Sequence, residues 1–386
     1  MVTMNYVPVR PELLRWARER AGLPLDSLIT RFRKLNDWEM GRSEPTFKQL
    51  EAYAKTTRVP FGYFFLSEPP EEPLPIPDFR TIADTPLQHP TPDLLDTIYA
   101  MQRRQAWLRE ERIEQGADPL AFVGSVAMEN TPLTVATEMR RILGIGTDWA
   151  REHNTWTDAL RALRVGLEEL GVVVVINGVV GNNTHRKLDP MEFRGFVLAD
   201  HYAPLIFLNG SDGKAAQMFT LAHELAHLWV GQDAVFNLLD LEPADVNVER
   251  FCNRVAAEFL IPENEMRTAW TEALSTNAPY QAIARRFKVS ELVAARRALD
   301  LAMIQQGAFT DFYNRYLDRE RNISTGSEGG GDFYATQGVR VGRVFAEAVN
   351  HAVREGRLLY REAFELTGLY GTTFDKYVSK AGIRGD

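Results

Sequence analysis

The sequence predicts a mostly helical α+β protein of several domains, in which a small β-sheet packs against one buried helix. The first observation is length, because 386 residues exceed what one ordinary hydrophobic core contains. The second is periodicity: apolar residues recur at helical spacing through most of the chain, and three short β-rich runs lie between residues 172 and 208. The third is a proline-rich and a glycine-rich stretch, which separate the helical regions.

Composition and charge restrict the class of protein. With 45% hydrophobic and 25% charged residues, the sequence is typical of globular proteins. The single cysteine, Cys252, excludes an internal disulfide framework and favours a reducing compartment. Met1 to Arg10 lacks a secretory apolar region and no long apolar run follows, so we expect a cytoplasmic location without membrane contact. The net charge of -8 argues against a protein coated in nucleic acid.

Four regions are predicted from the breaks in the sequence. Residues 1–66 form a helical module, 67–120 a proline-rich linker with a scaffold helix, 121–305 the central domain, and 306–386 a linker with a small helical domain. The first region carries 11 Lys and Arg against 7 Asp and Glu, which leaves a net charge of -12 for the rest. A basic module in an otherwise acidic chain is typical of a nucleic-acid-binding domain.

The first region is predicted to be a bundle of short helices with tight turns. The predicted helices are Glu12–Ala21, Leu25–Phe32, Thr46–Lys55 and Phe61–Leu66.

Part of this bundle resembles a known DNA-binding signature. The segments Trp38-Glu39-Met40-Gly41, Pro45-Thr46 and Gln49-Leu50-Glu51 resemble XRE-type helix-turn-helix domains. That resemblance implies DNA binding through the start of a recognition helix. The candidate contacts are Arg31, Arg33, Lys34 and Asn36. Residues 23–38 leave too little room for a full second helix, turn and recognition helix, so a degenerate bundle that contacts proteins is the alternative.

A linker, three helices and a small sheet are predicted next. Ser67–Asp78 is a semi-rigid linker, because its prolines fix φ and remove hydrogen-bond donors. The predicted helices are Pro92–Gln115, Thr131–Leu143 and Trp156–Leu170, and the predicted strands are Val172–Ile176, Phe193–Ala199 and Pro204–Leu208. Gly178–Asp189 is predicted to be a long loop, whose His185 is either a surface residue or one that approaches an active site.

The stretch Phe219–Val230 predicts a buried helix with the pattern His223-Glu224-Leu225-Ala226-His227. Residues four apart lie on the same face of a helix, so both imidazoles can bind one ion, and Zn²⁺ suits the pair best. Glu224 is placed to take a proton from water as a general base. The alternative is a buried helix whose histidines are satisfied by core hydrogen bonds.

A hydrolytic zinc site needs a third protein ligand and one open position. Glu249 is the preferred candidate, because it lies in the first turn of a second predicted helix, Val248–Leu260. Glu258 is nine residues further on, half a turn out of phase with Glu249, and Glu242 is the remaining alternative. Asn253, one turn beyond Glu249, is expected to interact with a metal-ligating side chain and to hold its orientation.

The two helices together resemble the ImmA/IrrE family of zinc metallopeptidases. The resemblance rests on the motif of residues 219–227 and on Glu249-Arg250-Phe251-Cys252-Asn253-Arg254-Val255-Ala256-Ala257-Glu258-Phe259-Leu260-Ile261-Pro262. It covers roughly residues 78–304 and implies that His223, His227 and Glu249 are the ligands. This chain has Cys252-Asn253-Arg254-Val255 where the family often has Ala-Asn-x-Phe, which places a thiol near the site as an inert core residue or a competing ligand.

The remaining sequence predicts structural elements. Gln281–Leu301 has a second helix-turn-helix pattern, which in the family packs against the peptidase core. Arg319–Asp332 is predicted to be a flexible linker, because it is rich in glycine and serine. Residues 333–386 predict a small helical domain without catalytic motifs.

Two functions of different classes follow from these patterns. The first, implied by the family resemblance, is a zinc endopeptidase that cleaves a transcriptional repressor or antitoxin-like partner, with Glu224 as base. The second is a regulator that binds DNA or protein through residues 1–66, with a structural or sensory zinc. The presence of Glu224 in the motif favours the endopeptidase, since a structural zinc site is usually closed by four protein ligands and needs no base. His185, Tyr202 and His201 are the candidates for stabilising an oxyanion.

Overall fold

A computed structural model describes residues 5–76, 90–127, 129–232, 234–236, 247–323 and 333–380. The chain divides into two compact units, of which Met1–Pro75 and Leu87–Ile98 form the first and Ile76–Pro86 and Tyr99–Asp386 the second. Helices dominate the described residues, and the strands form one sheet of four and one of two. The predicted α+β class is therefore confirmed. Among the described helices, none combines the length and the apolar character that crossing a membrane requires.

The first unit is a bundle of short helices. Its helices are α1 (Pro11–Arg20), α2 (Leu25–Ile29), α3 (Leu35–Glu39), α4 (Phe47–Thr57) and a 3-10 turn (Phe61–Phe65). The hydroxyl of Tyr53, on α4, donates to the carbonyl of Leu14, on α1, at 2.8 Å inside the bundle. Thr46 caps α4 by accepting from the Gln49 amide. The two helices between residues 25 and 39 have only five residues each, shorter than a full helix-turn-helix pair provides.

The second unit begins with three helices and a sheet. The helices are α5 (Pro92–Glu114, in this unit from Tyr99), α6 (Pro132–Leu143) and α7 (Trp156–Glu169), with a 3-10 turn at Trp149–Glu152 between the last two. The strands are β1 (Val173–Asn177), β2 (Val179–Val180), β3 (Asn183–Lys187), β4 (Gly195–Leu198), β5 (Leu205–Asn209) and β6 (Ala234–Phe236). The larger sheet has the order β1-β5-β4-β6, in which β1 and β5 are parallel and β4 is antiparallel to both neighbours.

Helix α8 (Lys214–Val230) packs across β4 and β5, as the sequence predicts. The helices that follow are α9 (Asn247–Leu260), α10 (Glu263–Ala273), α11 (Pro279–Phe287), α12 (Glu291–Asp300) and α13 (Gln306–Ile323). Ile283, Phe287 and Val293 belong to the same hydrophobic core as α8, which gives α11 and α12 a structural role.

Four more helices complete the second unit: α14 (Phe333–Val341), α15 (Arg343–Arg354), α16 (Tyr360–Thr367) and α17 (Thr372–Lys380). Gly342 lies against β1, because a Cβ placed on it would be 3.3 Å from the carbonyl oxygen of Val174. The buried Arg104 of α5 donates to the carbonyl oxygens of Leu366 at 2.9 Å and Arg340 at 3.1 Å. These contacts dock the C-terminal helices on α5 and the edge of the sheet.

Three predictions about elements were wrong or incomplete. The predicted loop Gly178–Asp189 contains an antiparallel hairpin, β2 and β3, which turns at Gly181 with a positive φ of 56°. Strand β6 was not predicted, because three residues are too few to show a pattern. Helix α13 continues to Ile323, so the predicted linker from Arg319 begins as helix; residues 324–332 lie outside the described residues.

Candidate metal centre and active site

Helix α8 holds the two motif histidines inside the protein. Its side chains from Gln217 to Trp229 are all buried, so sheet, α7 and α9 enclose the helix on every side. The helix ends at Gly231, which adopts the left-handed conformation with φ 77°. Because His223 and His227 are one turn apart, both rings project from the same face.

Helix α9 presents Glu249 to that face. The helix packs against both α8 and α6. Its C-terminal end is held by two buried arginines: Arg140 donates to the carbonyl oxygens of Glu258 at 2.9 Å and Phe259 at 3.1 Å, and Arg297 donates to that of Ile261 at 3.0 Å. These bonds satisfy carbonyls that the helix itself leaves unpaired. The far end of α9 is thereby fixed, which helps to hold the position of its first turn.

The three side chains converge on one point. The Nε2 atoms of His223 and His227 are 3.0 Å apart. The carboxylate oxygens of Glu249 lie 3.1 Å from His223 Nε2 and 2.9 Å from His227 Nε2. All three residues are buried, and among the described residues they form the one group of at least three His, Cys, Asp or Glu whose donor atoms meet closely enough for an ion.

The electrostatics of the cluster favour neutral imidazole beside an ionised carboxylate. Burial lowers the pKa of His223, although the charge of Glu249 and the hydrogen bond with it oppose that shift. Burial opposes ionisation of Glu249, but the two histidines together hold the pKa of its carboxyl far below its usual range. Neutral imidazole and carboxylate are the protonation states that bind a metal.

The donor set fits zinc. Two imidazole nitrogens and one carboxylate are the ligands of a catalytic zinc site that keeps one position open. Donors at tetrahedral angles with bonds of about 2.0–2.1 Å lie roughly 3.3 Å from one another. The observed separations of 2.9–3.1 Å require shifts of only a few tenths of an ångström. His223, His227 and Glu249 would therefore hold the ion.

Glu224 lies beside this cluster with a free carboxylate. Both of its oxygens are buried, and neither has a hydrogen-bond partner among the described residues. Burial, followed by the negative charge of Glu249, raises the pKa of Glu224 well above its usual value. A buried carboxyl without a partner is costly in a protein core, so its presence calls for a functional reason.

Gly195 is a neighbour of Glu224 that the sequence analysis missed. A Cβ placed on Gly195 would lie 2.6 Å from Cγ2 of Thr220, 2.9 Å from the carbonyl oxygen of Phe207 and 3.3 Å from Oε1 of Glu224. The absent side chain lets β4 approach α8 at the carboxylate. A glycine inside a predicted strand is a signal of such close approach, and it could have identified this position.

Of the two alternatives to Glu249 as third ligand, one is paired with an arginine and the other lies outside the described residues. Glu258 forms a buried ion pair with Arg297, and its Oε1 accepts from the backbone amide of Glu263 at 3.2 Å. It points away from the histidines because it is out of phase with Glu249 on α9. Glu242 lies outside the described residues. Asn253 lies near His223 and acts to raise the pKa of its imidazole, but the buried Asn253 Oδ1 has no hydrogen-bond partner among the described residues, so its supporting role stays a prediction.

Cys252 is buried within the hydrophobic core and is not a member of the His-His-Glu group. Burial, together with the charges of Glu249 and Glu224, raises the pKa of its thiol well above the usual value. A thiol held in its neutral form is a poor ligand and a poor nucleophile. The structure therefore favours the inert interpretation of Cys252.

The three oxyanion candidates do not contact the cluster. His185 is exposed on β3, and His201 is exposed in the turn between β4 and β5. Tyr202 lies in the same turn with Arg109 over its ring, 5.9 Å from the centroid, and Arg112 bonded to its carbonyl oxygen. None of the three has a hydrogen bond or ion pair with the motif residues or Glu249 among the described residues.

The candidate DNA contacts lie around the short helix α3. Arg31, Arg33 and Lys34 are exposed, and Asn36 is half-buried. The guanidinium of Arg31 lies over the ring of Phe32, 5.4 Å from its centroid. Three exposed cations within four residues form a small basic surface, which is compatible with phosphate contacts and with protein contacts alike.

The α+β fold and the buried His-His-Glu cluster beside a free carboxyl are typical of metallopeptidases. In a comparison with protein families, residues 167–299 match the model of the IrrE N-terminal-like domain (Peptidase_M78). This segment is roughly a third of the chain and contains all four site residues. Residues 341–380 match a domain of unknown function (DUF8813). No curated protein matches the chain.

Proposed function

We propose that the chain is a zinc-dependent endopeptidase, similar to gluzincins, that cleaves a regulatory protein such as a transcriptional repressor or antitoxin-like partner. The observation that carries the proposal is the convergence of His223, His227 and Glu249 within 3.1 Å next to the unpaired carboxyl of Glu224. The match of residues 167–299 to a peptidase family supports the same reaction class.

In the proposed reaction the two histidines and Glu249 hold zinc, and Glu224 moves the proton. When bound, zinc supplies Lewis-acid chemistry, which makes water more acidic and polarises a peptide carbonyl. One oxygen of the Glu224 carboxylate accepts the proton of the attacking water and then delivers it to the nitrogen of the leaving amine. The buried surroundings exclude bulk water and strengthen these electrostatic interactions.

The choice of a regulatory protein as substrate rests on the family resemblance and on the N-terminal helical unit. A basic surface at Arg31, Arg33 and Lys34 suits a factor that works near nucleic acid or binds an acidic partner. Repressor-cleaving peptidases are commonly encoded beside their targets. We therefore choose the proteins encoded next to this chain's gene as the test substrates.

The decisive variant is Glu224→Gln, which preserves size but removes the base. Zinc content should stay near one ion per chain, while cleavage should fall by about 10²- to 10⁴-fold, the usual contribution of general-base catalysis. Glu263→Gln is the matched control, because it neutralises an exposed carboxylate on α10 and should leave cleavage unchanged. A chelator should stop cleavage by the wild type.

Two results would contradict the proposal. Equal cleavage by Glu224→Gln and wild type would eliminate Glu224 as the base. If the zinc-loaded wild type cleaves none of the neighbouring products, the regulator with a structural or sensory zinc becomes the better explanation.

A further inference from the structure

A cavity of about 150 Å³ lies between the end of α6 and α7. Its walls include Leu143, the last residue of α6, and Leu163 of α7. The 3-10 turn between these helices contributes Trp149 and Glu152. A cavity of this volume is large enough for one benzene-sized ring. The described residues that line it include none of the metal centre, so the cavity is a separate site.

Gly166 keeps part of this space open. It lines the cavity from the interior of α7, where glycine destabilises a helix relative to alanine. A Cβ placed on Gly166 would lie 3.5 Å from Cδ2 of Leu143, which is an ordinary van der Waals contact. No clash therefore excludes alanine at this position, and the missing methyl group leaves room in the cavity.

Trp149 supplies an aromatic wall and an unpaired hydrogen-bond donor. Its side chain is buried, and the ring of His153, which also lines the cavity, packs edge-on against it with 5.9 Å between the centroids. The indole Nε1 is buried and has no hydrogen-bond partner among the described residues. Because an unsatisfied buried donor costs free energy, this wall favours a ligand atom that accepts a hydrogen bond.

Negative charge surrounds the opening of the cavity. Glu152 offers an exposed carboxylate. The carbonyl oxygens at the C-terminal end of α6, next to Leu143, carry the partial negative charge of a helix terminus. Neither lysine nor arginine is among the described residues that line the cavity. A ligand with N–H donors is therefore favoured over an anion.

We propose that this cavity binds a small planar nitrogen heterocycle with an amino substituent, about the size of one pyrimidine base. A ring nitrogen accepts a hydrogen bond from Nε1 of Trp149, and the amino group donates to the carboxylate of Glu152. The faces of the ring pack against the apolar side chains of Leu143 and Leu163. Apolar walls with a few polar groups that fix orientation are typical of small-molecule sites.

The probe is 2-aminopyrimidine, which is compared with aniline and benzoate by ligand-observed NMR titration of the zinc-loaded full-length chain. We expect saturable binding of 2-aminopyrimidine with a Kd of about 1 mM or tighter, which a fragment of this size allows. Aniline should bind more weakly, because it lacks the ring nitrogens that accept a hydrogen bond. Benzoate should not bind, because its charge is repelled by Glu152 and by the end of α6.

Variants of the lining residues test each contact. Trp149→Phe keeps an aromatic wall but removes the donor, so it should weaken 2-aminopyrimidine about fivefold, the equivalent of one net hydrogen bond, and leave aniline unchanged. Trp38→Phe is the matched control, because Trp38 is also buried with an unpaired indole nitrogen but does not line the cavity. Glu152→Gln should weaken both amines, whereas Glu169→Gln, which neutralises an exposed carboxylate elsewhere on α7, should not. Gly166→Ala should weaken both by narrowing the cavity, and thermal unfolding shows whether each variant is folded.

Several results would overturn the inference. They are an absence of saturable 2-aminopyrimidine binding, a preference for benzoate, and equal affinity of the wild type and the folded cavity variants. The titration is repeated after zinc has been removed with a chelator, because a ring nitrogen can also bind a metal. We expect the same affinity, whereas affinity that disappears with the zinc would place the probe at the metal centre and not in the cavity.

Discussion

At the scale of single residues, the roles of Glu249 and Glu258 can be separated experimentally. His223→Ala, His227→Ala and Glu249→Ala should each lose most of the bound zinc, because each removes one of three converging donors. Glu258→Ala should retain it, since Glu258 is paired with Arg297. The measurement is elemental analysis of the purified chains after dialysis.

We also expect Glu258→Ala to lower the free energy of unfolding. Removing one partner of a buried ion pair leaves Arg297 charged and unpaired, which destabilises a protein by about 3–5 kcal/mol. Urea unfolding of the zinc-loaded chains measures it. Zinc loss by Glu258→Ala, with zinc retained by Glu249→Ala, would show that the third ligand has been assigned to the wrong glutamate.

Gly195 provides a second test at this scale. In Gly195→Ala the new methyl group would lie 2.9 Å from the backbone oxygen of Phe207, which cannot move aside like a flexible side chain. We expect destabilisation of about 1–3 kcal/mol, typical of overpacking, and a loss of cleavage because β4 shifts relative to Glu224. Gly307→Ala on α13 is the control, because no atom lies within 4 Å of its added Cβ. Equal stability of both variants would show that β4 adjusts freely.

At the scale of secondary structure, helix α7 contains a buried carboxylate with a testable pH dependence. The side chain of Glu168 is fully buried, bonded to Arg164 at 2.8 Å and to the backbone amide of Arg343 at 3.3 Å. Burial raises its pKa, and Arg164 only partly opposes the shift. A raised pKa means that the folded state holds the proton more tightly, so this contribution to stability is present below about pH 4.5 and is lost as the pH rises through the folded value.

Glu168→Gln removes that titration. The free energy of unfolding of wild type minus that of Glu168→Gln should therefore decrease between pH 4 and 8. Urea unfolding at several pH values measures the difference, and zinc binding affects both chains alike. A difference that grows with pH would show instead that the ion pair with Arg164 outweighs burial.

The secondary-structure elements differ in how well the sequence predicts them. Helices α7 and α9 were predicted within one residue, because their apolar positions and caps define them, and the end of α8 was predicted at Val230, although the helix starts five residues before the predicted Phe219. The hairpin of β2 and β3 was missed, since β3 is a polar strand without an apolar alternation. Its Gly181-Asn182 turn carried a hairpin signal that could have identified it. The short β6 exists only through its pairing with β4, which no local pattern records.

The site shows the same division between local and distant information. The spacing of His223, Glu224 and His227 is a property of one helix, and it indicates the metal-binding face from sequence alone. The pairing of Glu258 with Arg297 joins residues 39 positions apart and depends on how α9 and α12 pack. The approach of Gly195 to Glu224 likewise depends on how the sheet and α8 pack. The partners in such contacts follow from tertiary structure: a glycine within a predicted strand indicates a close approach there, but it does not show that Glu224 is the neighbour.

At the scale of the whole molecule, a basic helical unit accompanies an acidic remainder. Residues 1–66 carry a net charge of +4, and the chain as a whole carries -8. Attraction to nucleic acid should therefore be local to the N-terminal unit. Its α2 and α3 are five residues each, which leaves few positions for side chains that read bases.

The final prediction concerns DNA binding by the full-length chain. We expect weak binding with little preference for sequence, because phosphate contacts supply affinity while base contacts supply specificity. Combined replacement of Arg31, Arg33 and Lys34 by alanine should reduce the slope of log affinity against log salt by about 0.9 for each phosphate that the protein no longer neutralises. The control replaces three exposed arginines elsewhere, Arg141, Arg161 and Arg361, which changes net charge equally. Gel-shift assays at two salt concentrations, on the promoter upstream of the gene and on unrelated DNA, measure both quantities. A tight complex specific to the promoter would show that side chains of the short α3 contact bases. If both triple replacements reduce the salt slope equally, the basic surface acts only through the net charge of the chain.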